Sequence, residues 1–95
     1  MLVGTARGAT FADGLAAFES GAFADAAAAW SPLAENGDSN AQYGLGRLYQ
    51  RGLGVERDPL RACALYLKAA EAGHAGAQFS LGTLYDDGDG VVRDT

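Results

Sequence analysis

The sequence predicts an all-α protein made of stacked antiparallel helix pairs, and three observations point there. The chain repeats itself: at a shift of 36 residues, AQYGLGRLYQRGLGVERDP (41–59) falls on AQFSLGTLYDDGDGVVRDT (77–95), with 11 identities over 19 positions. A period in this range marks supersecondary units that stack on one another. Apolar residues also recur at helical spacing: Ala41, Leu45, Leu48 and Tyr49 share one helix face. Finally, 48% of the 95 residues are hydrophobic, and much of that is alanine. Alanine favours helix but buries little area per residue, so stability requires closely spaced helices.

Residues 1–9 read as a leader or frayed N-terminus. Ala6-Arg7-Gly8 has the small-x-small form of an export-signal end, yet no full apolar stretch precedes it. A frayed segment is preferred over the tail of an export signal. The compartment stays open between cytoplasm and, with a signal upstream, periplasm or exterior. A first helical pair occupies 10–40, with helices at 10–20 and 23–36. Here Ala26 and Trp30 fall on Ala62 and Tyr66, and Gly37 on Gly73, at the same shift. Its first helix has an ambiguous register, because matching Gly14 to Gly46 and Phe18 to Tyr49 requires different shifts. Pro32 inside the second helix is expected to kink or break it.

The best-defined unit spans 41–76. Its first helix, 41–51, ends at Gly52, where a left-handed C-cap wants glycine. Gly54 keeps the connection tight and Val55 plugs the seam between helices. Asp58 and Pro59 read as N-cap and first helical position of a helix over 59–72. Ala62, Leu65, Tyr66, Ala69 and Ala70 form its apolar face, and Gly73 closes it. Residues 77–95 make the first half of a further unit, with a helix over 77–87 that carries Leu81, Gly82, Leu84 and Tyr85. The sequence ends at Arg93-Asp94-Thr95, where the match to Arg57-Asp58-Pro59 predicts another helix. Leu81, Leu84, Tyr85 and Val91-Val92 are therefore expected to lack a successor to cover them. A fragment of a longer array is the preferred explanation, ahead of self-association through the uncapped C-terminal helix and of fraying.

These residues resemble a known family. Ala41, Leu45, Gly46, Tyr49, Gly52, Gly54, Val55, Asp58, Ala62, Tyr66, Ala69, Ala70 and Gly73 match the pattern of the Sel-one-like repeat, a longer relative of the tetratricopeptide repeat. Residues 77–94 match its first helix and loop, whereas the first pair, with its short connection ESGAFADA, looks more like an ordinary tetratricopeptide unit. The resemblance implies a right-handed α-solenoid of about two and a half units that mounts other proteins on its concave face, with no shared catalytic residues and no cofactor. Some secreted members carry a cysteine pair per repeat; with Cys63 alone, that chemistry does not carry over.

Composition and motifs narrow the function further. The formal net charge is −5, with one lysine and six scattered arginines. That balance argues against nucleic acid, whose binding needs clustered cations on phosphates. Cys63 lies in the apolar run ACALYL and reads as a small core residue. No segment reaches the ~20 apolar residues of a membrane span. Gly52-x-Gly54 lacks the third glycine, the preceding strand and the Gly-Lys-Ser/Thr that phosphate loops need. Asp86, Asp87 and Asp89 do not fall at the alternating positions of a calcium loop. His74, the sole histidine, reads as a surface residue near a helix C-terminus. No nucleophile–base–acid set emerges, so neither catalysis nor a metal is expected.

The predicted function is a non-catalytic scaffold or adaptor that binds a protein or peptide. The alternative is a fragment or regulatory or targeting module of a larger enzyme-containing protein. Tyr43 and Phe79 lie about 120° around their helices from Tyr49 and Tyr85, at ~3.6 residues per turn. With Arg47, Gln50 and Arg51 in one unit and Thr83, Asp86 and Asp87 in the next, they would form a polar–aromatic strip. Aromatic plus Arg is the composition of binding hot spots. Packing of Tyr43 and Phe79 between adjacent helices is the competing reading.

Overall fold

The computed structural model describes residues 9–87, with side chains through Leu84. Residues 1–8 of the leader read at 1–9, Asp89, Val91-Val92 and Arg93-Asp94-Thr95 lie outside the described residues, as do the side chains of Tyr85, Asp86 and Asp87. Five helices, and no strand among the described residues, follow in order: α1 Phe11–Glu19, α2 Phe23–Glu35, α3 Ser39–Arg51, α4 Pro59–Glu71 and α5 Ala75–Asp87. Each packs on its neighbours in sequence, as short helix–helix connections require.

Local chemistry sets the helix ends. Thr10 caps α1 through a capping box with Asp13. The side chain of Asp38 accepts from the Asn40 and Ala41 N–H groups, so α3 starts at Ser39, two residues before the expected 41. Asp58 Oδ1 accepts from Arg61 N–H, and Pro59 follows as the first helical residue. At Gly52, φ is +71° and its N–H donates to the Leu48 carbonyl, the left-handed cap expected there.

Two readings of the sequence change. Pro32 neither breaks nor ends α2, which runs on to Glu35. The proline lies within the last turn, and the carbonyl it deprives of a partner belongs to Ala28, an exposed residue open to water. His74 stands just past the C-terminus of α4, where its N–H donates to the Ala69 carbonyl, but its side chain serves the next helix. Its Nδ1 accepts from Ala77 N–H at 3.1 Å, which makes it a cap for α5 and starts that helix at Ala75 rather than 77. At the 36-residue shift, His74 stands where Asp38 stands in the unit before.

The core forms two adjoining clusters. One joins Ala26, Ala27, Trp30, Ala34, Ala41, Leu45 and Leu48; the other joins Ala62, Tyr66, Ala69, Ala77 and Leu84; Tyr49 is half-buried against both. Each cluster centres on one large aromatic seated on a glycine. Trp30 lies against Gly14 so closely that a Cβ there would overlap its ring, and a Cβ on Gly46 would come 2.7 Å from Tyr66 Cε1. This pairing resolves the ambiguous register of α1: Gly14 corresponds to Gly46. Phe11 then matches Tyr43, and Phe11 stacks on Trp30 as Tyr43 packs on Tyr66, with ring centroids at 5.4 and 5.9 Å. Burying rings of this size contributes on the order of 2–3 kcal/mol each, which alanine contacts alone would not.

Gly54 has φ +73°, and a Cβ would overlap the backbone of Phe23 and Ala24. The connector of one unit thus lies directly on the start of the preceding unit's second helix, and only glycine fits there. Val55 is half-buried against the first cluster. Cys63 is half-buried, at the edge of the second cluster rather than inside it.

The last helix is better covered than expected. Leu84 and Ala77 are fully buried against Tyr66, and Leu81 is half-buried. What stays open on α5 is Phe79, 78% exposed, and Gly82, with no atom within 4 Å of its Cβ position. The partner that Tyr66 provides for Tyr43 and Gly46 has no counterpart on Phe79 and Gly82 among the described residues.

Candidate functional site

A cleft of about 310 Å³ opens between α3 and α5. From α3 it is lined by Tyr43, Arg47, Gln50 and Arg51, which follow one another at helical spacing on a single face. From α5 come Phe79, Ser80 and Thr83, and Tyr66 of α4 forms the floor. The structure therefore brings together six of the eight residues that the sequence pointed to as a groove. The other two, Asp86 and Asp87, lie about one turn beyond Thr83 on α5, and their side chains are outside the described residues.

The floor is a buried, neutral phenol. Tyr66 is fully buried, and its hydroxyl donates to Gln50 Oε1 at 2.6 Å. Burial, reinforced by the neighbouring Tyr43, pushes its pKa up to about 12 against the opposing pull of Arg47, Ser80 and Arg51. The bond fixes the Gln50 amide with its oxygen turned inward.

The wall on α3 is cationic. The Arg47 guanidinium lies 5.1 Å from the Phe18 ring centroid and 5.7 Å from that of Tyr43. Such cation–π contacts hold the group in place while its N–H edge stays available. Arg51 is exposed at the rim. Neither arginine has an ion pair or hydrogen bond among the described residues. Tyr43 itself is half-buried and stacks on His74 at 4.7 Å between centroids; His74 Nε2 in turn lies 3.0 Å from Asn40 Oδ1. The tautomer that accepts at Nδ1 from the Ala77 N–H carries its hydrogen on Nε2, facing Asn40 Oδ1.

The two repeat-related aromatics thus have different environments. Tyr43 packs between helices and also borders the cleft, while Phe79 stands into solvent. On α5 the Thr83 hydroxyl donates to the Phe79 carbonyl at 3.1 Å. Among the described residues no group of three or more His, Cys, Asp or Glu is placed to hold a metal ion, and no helix is long and apolar enough to cross a membrane.

A smaller cleft of about 130 Å³ lies around Glu35, Tyr49, Arg61 and Lys68. It uses Leu45 and Tyr49 of α3, roughly half a turn from Tyr43 and Arg47 at ~100° per residue. Arg61 covers the Tyr49 ring there at 5.0 Å, so this face carries a carboxylate beside its cations.

One repeating device escaped the sequence reading. Gln42, only 5% exposed, donates from Nε2 to the Ala34 carbonyl at 3.1 Å, and Gln78 donates to the Ala70 carbonyl at 3.2 Å. Both carbonyls belong to the last turn of the preceding helix, where intrahelical donors run out. The recurrence of Ala-Gln at a shift of 36 was the visible signal, and an acceptor eight residues upstream is what gives it meaning.

Comparison with known proteins agrees with this architecture. The sequence model of the Sel1 repeat matches residues 39–74 and 75–95, more than half of the chain. A solved structure, the Sel1 repeat protein from Oxalobacter formigenes, superposes with a TM-score of 0.82 at 34% identity, over 88% of this chain and 34% of that one. The chain spans about a third of that protein's length. No curated protein matches significantly.

Proposed function

The chain belongs to the Sel1 repeat family, an all-α repeat solenoid and generally a protein-interaction module, and we propose that it binds a protein or peptide segment in the cleft between α3 and α5 without catalysing a reaction. The observation that carries this reading is Phe79. A large aromatic ring, 78% exposed, stands beside an oriented amide and two arginines that have no ion pair among the described residues, and aromatic and Arg side chains are the types that dominate binding energy at interfaces.

The module then acts as a scaffold or adaptor, and its acidity supports a protein partner over nucleic acid. Self-association through α5 is a second reading, favoured by the same exposed ring. The test is affinity capture followed by mass spectrometry, comparing the wild type with a Tyr43→Ala, Arg47→Ala, Phe79→Ala triple variant and with Phe79→Ala alone, which disturbs no core contact. Loss of specific partners from both variants is the expected result, and an unchanged partner set would overturn the assignment. Sedimentation distinguishes self-association: a monomer at tens of micromolar rules it out.

A further inference from the structure

We propose that the cleft between α3 and α5 selects an acidic peptide segment, with carboxylates on Arg47 and Arg51 and a neighbouring apolar side chain on Phe79. This deepens the binding role proposed above and rests on it. The first support is a local reversal of charge. The chain carries −5 overall, yet among the described residues the charged side chains lining this cleft are both arginines. The smaller cleft on the other face of α3 mixes Glu35 with Arg61 and Lys68.

The second support is the hydrogen-bonding inventory. The Tyr66 hydroxyl donates to Gln50, the Ser80 hydroxyl engages Tyr66, and the Thr83 hydroxyl donates to the Phe79 carbonyl. Among the described residues, the groups left to a partner are the guanidiniums of Arg47 and Arg51, the Gln50 NH₂ and the Tyr43 hydroxyl. Three of the four are donors only and two are charged, so the complementary ligand brings acceptors with negative charge. The third is preorganisation. Arg47 is held between the Phe18 and Tyr43 rings, so little side-chain freedom is lost when it receives a carboxylate. A nucleic acid also offers anionic acceptors, but two arginines on an acidic protein give little counterion release and long-range repulsion of a polyanion.

The experiment uses the full chain to select from a phage-displayed library of random dodecapeptides. The winners are then resynthesised with a fluorescent label for anisotropy titrations. Enriched peptides should carry at least two Asp or Glu beside an aromatic or aliphatic residue. Their Kd should rise about tenfold in Arg51→Gln, a rim substitution that touches no packing, and at least as much in the Arg47→Gln, Arg51→Gln pair. Exchanging the peptide carboxylates for amides, or raising the salt, should weaken binding comparably.

Enrichment of neutral or basic peptides that still need Phe79, or a Kd within twofold in Arg51→Gln, overturns the acidic preference and leaves the binding role standing. Displacement of the peptide by an oligothymidylate strand of equal affinity also overturns it, in favour of general anion capture. If no peptide is enriched, or binding ignores Phe79→Ala and both arginine variants, the groove itself is wrong and the proposed function falls with it.

Discussion

Gly46→Ala tests whether an aromatic seated on glycine is what spaces these helices. An alanine Cβ at position 46 would lie 2.7 Å from Tyr66 Cε1 and 2.9 Å from Cδ1, closer than carbon atoms approach. The ring has little room to yield, since it is fully buried, its hydroxyl is bonded to Gln50, and Tyr43 packs against it. Overpacking of a tight core costs about 1–3 kcal/mol, and this confinement puts the cost in the upper half of that range. Replacing glycine by alanine within a helix returns about 1 kcal/mol of propensity. The net expectation is a loss of roughly 1–2 kcal/mol, or a Tm lower by about 4 °C or more for a domain of this size.

The same substitution one repeat later supplies the control. Gly82→Ala meets open space, so only the propensity gain of ~0.5–1 kcal/mol remains. Thermal and urea unfolding followed by far-ultraviolet circular dichroism measure both variants. Shifts of the same sign within about 0.5 kcal/mol of each other would refute the proposed role of the Tyr66–Gly46 contact.

Other outcomes follow from neighbouring contacts. Gln42→Ala should cost about 1 kcal/mol by removing a buried hydrogen bond, the Ala34 carbonyl keeping the one it accepts from the Gly37 N–H, and Gln78→Ala, at an exposed position, clearly less; equal urea midpoints would contradict this. His74→Ala should lose about 1 kcal/mol of capping, while His74→Asp, which copies Asp38, should retain the wild-type midpoint; a His74→Asp protein as unstable as His74→Ala would remove the capping role. The Tyr66 phenol ionises near 10 when exposed and about 12 in the fold. The unfolded chain therefore gives up that proton first, and stability declines between pH ~10 and ~12. Urea midpoints across that range should fall less steeply in Tyr66→Phe than in the wild type. Phe79→Ala should leave stability within about 0.5 kcal/mol, since a ring in solvent contributes little to folding.

Helix pairs, their order and their connectors were legible in the sequence because the 36-residue period aligns signals that are weak one at a time. Gly52, Asp58 and Pro59 act locally, through backbone conformation and capping, and they do what their types suggest. The ends of α3 and α5 were read two residues late because the recognisable apolar face begins after the cap. At α5 the capping residue is also a histidine, which offers a ring nitrogen where aspartate offers a carboxylate. Pro32 misled because its consequence depends on which carbonyl it orphans, and that carbonyl belongs to an exposed alanine. The groove residues were legible as one helix face, since Tyr43, Arg47, Gln50 and Arg51 are fixed by 3.6-residue geometry and repeat symmetry carries the pattern to Phe79 and Thr83.

The sequence by itself determined that this protein is a stack of antiparallel helices with a Gly-rich connector in each Sel1 unit, because periodicity, caps and breakers are properties of neighbouring residues. Only the tertiary structure decided how equivalent positions differ. Tyr43 and Phe79 are both aromatic and share one repeat position, yet Tyr43 lies against Tyr66 and His74 while Phe79 faces water. Gly46 holds a ring and Gly82 holds nothing. Burial and pairing depend on what lies across the interface, and that is set by packing between helices rather than by order along the chain.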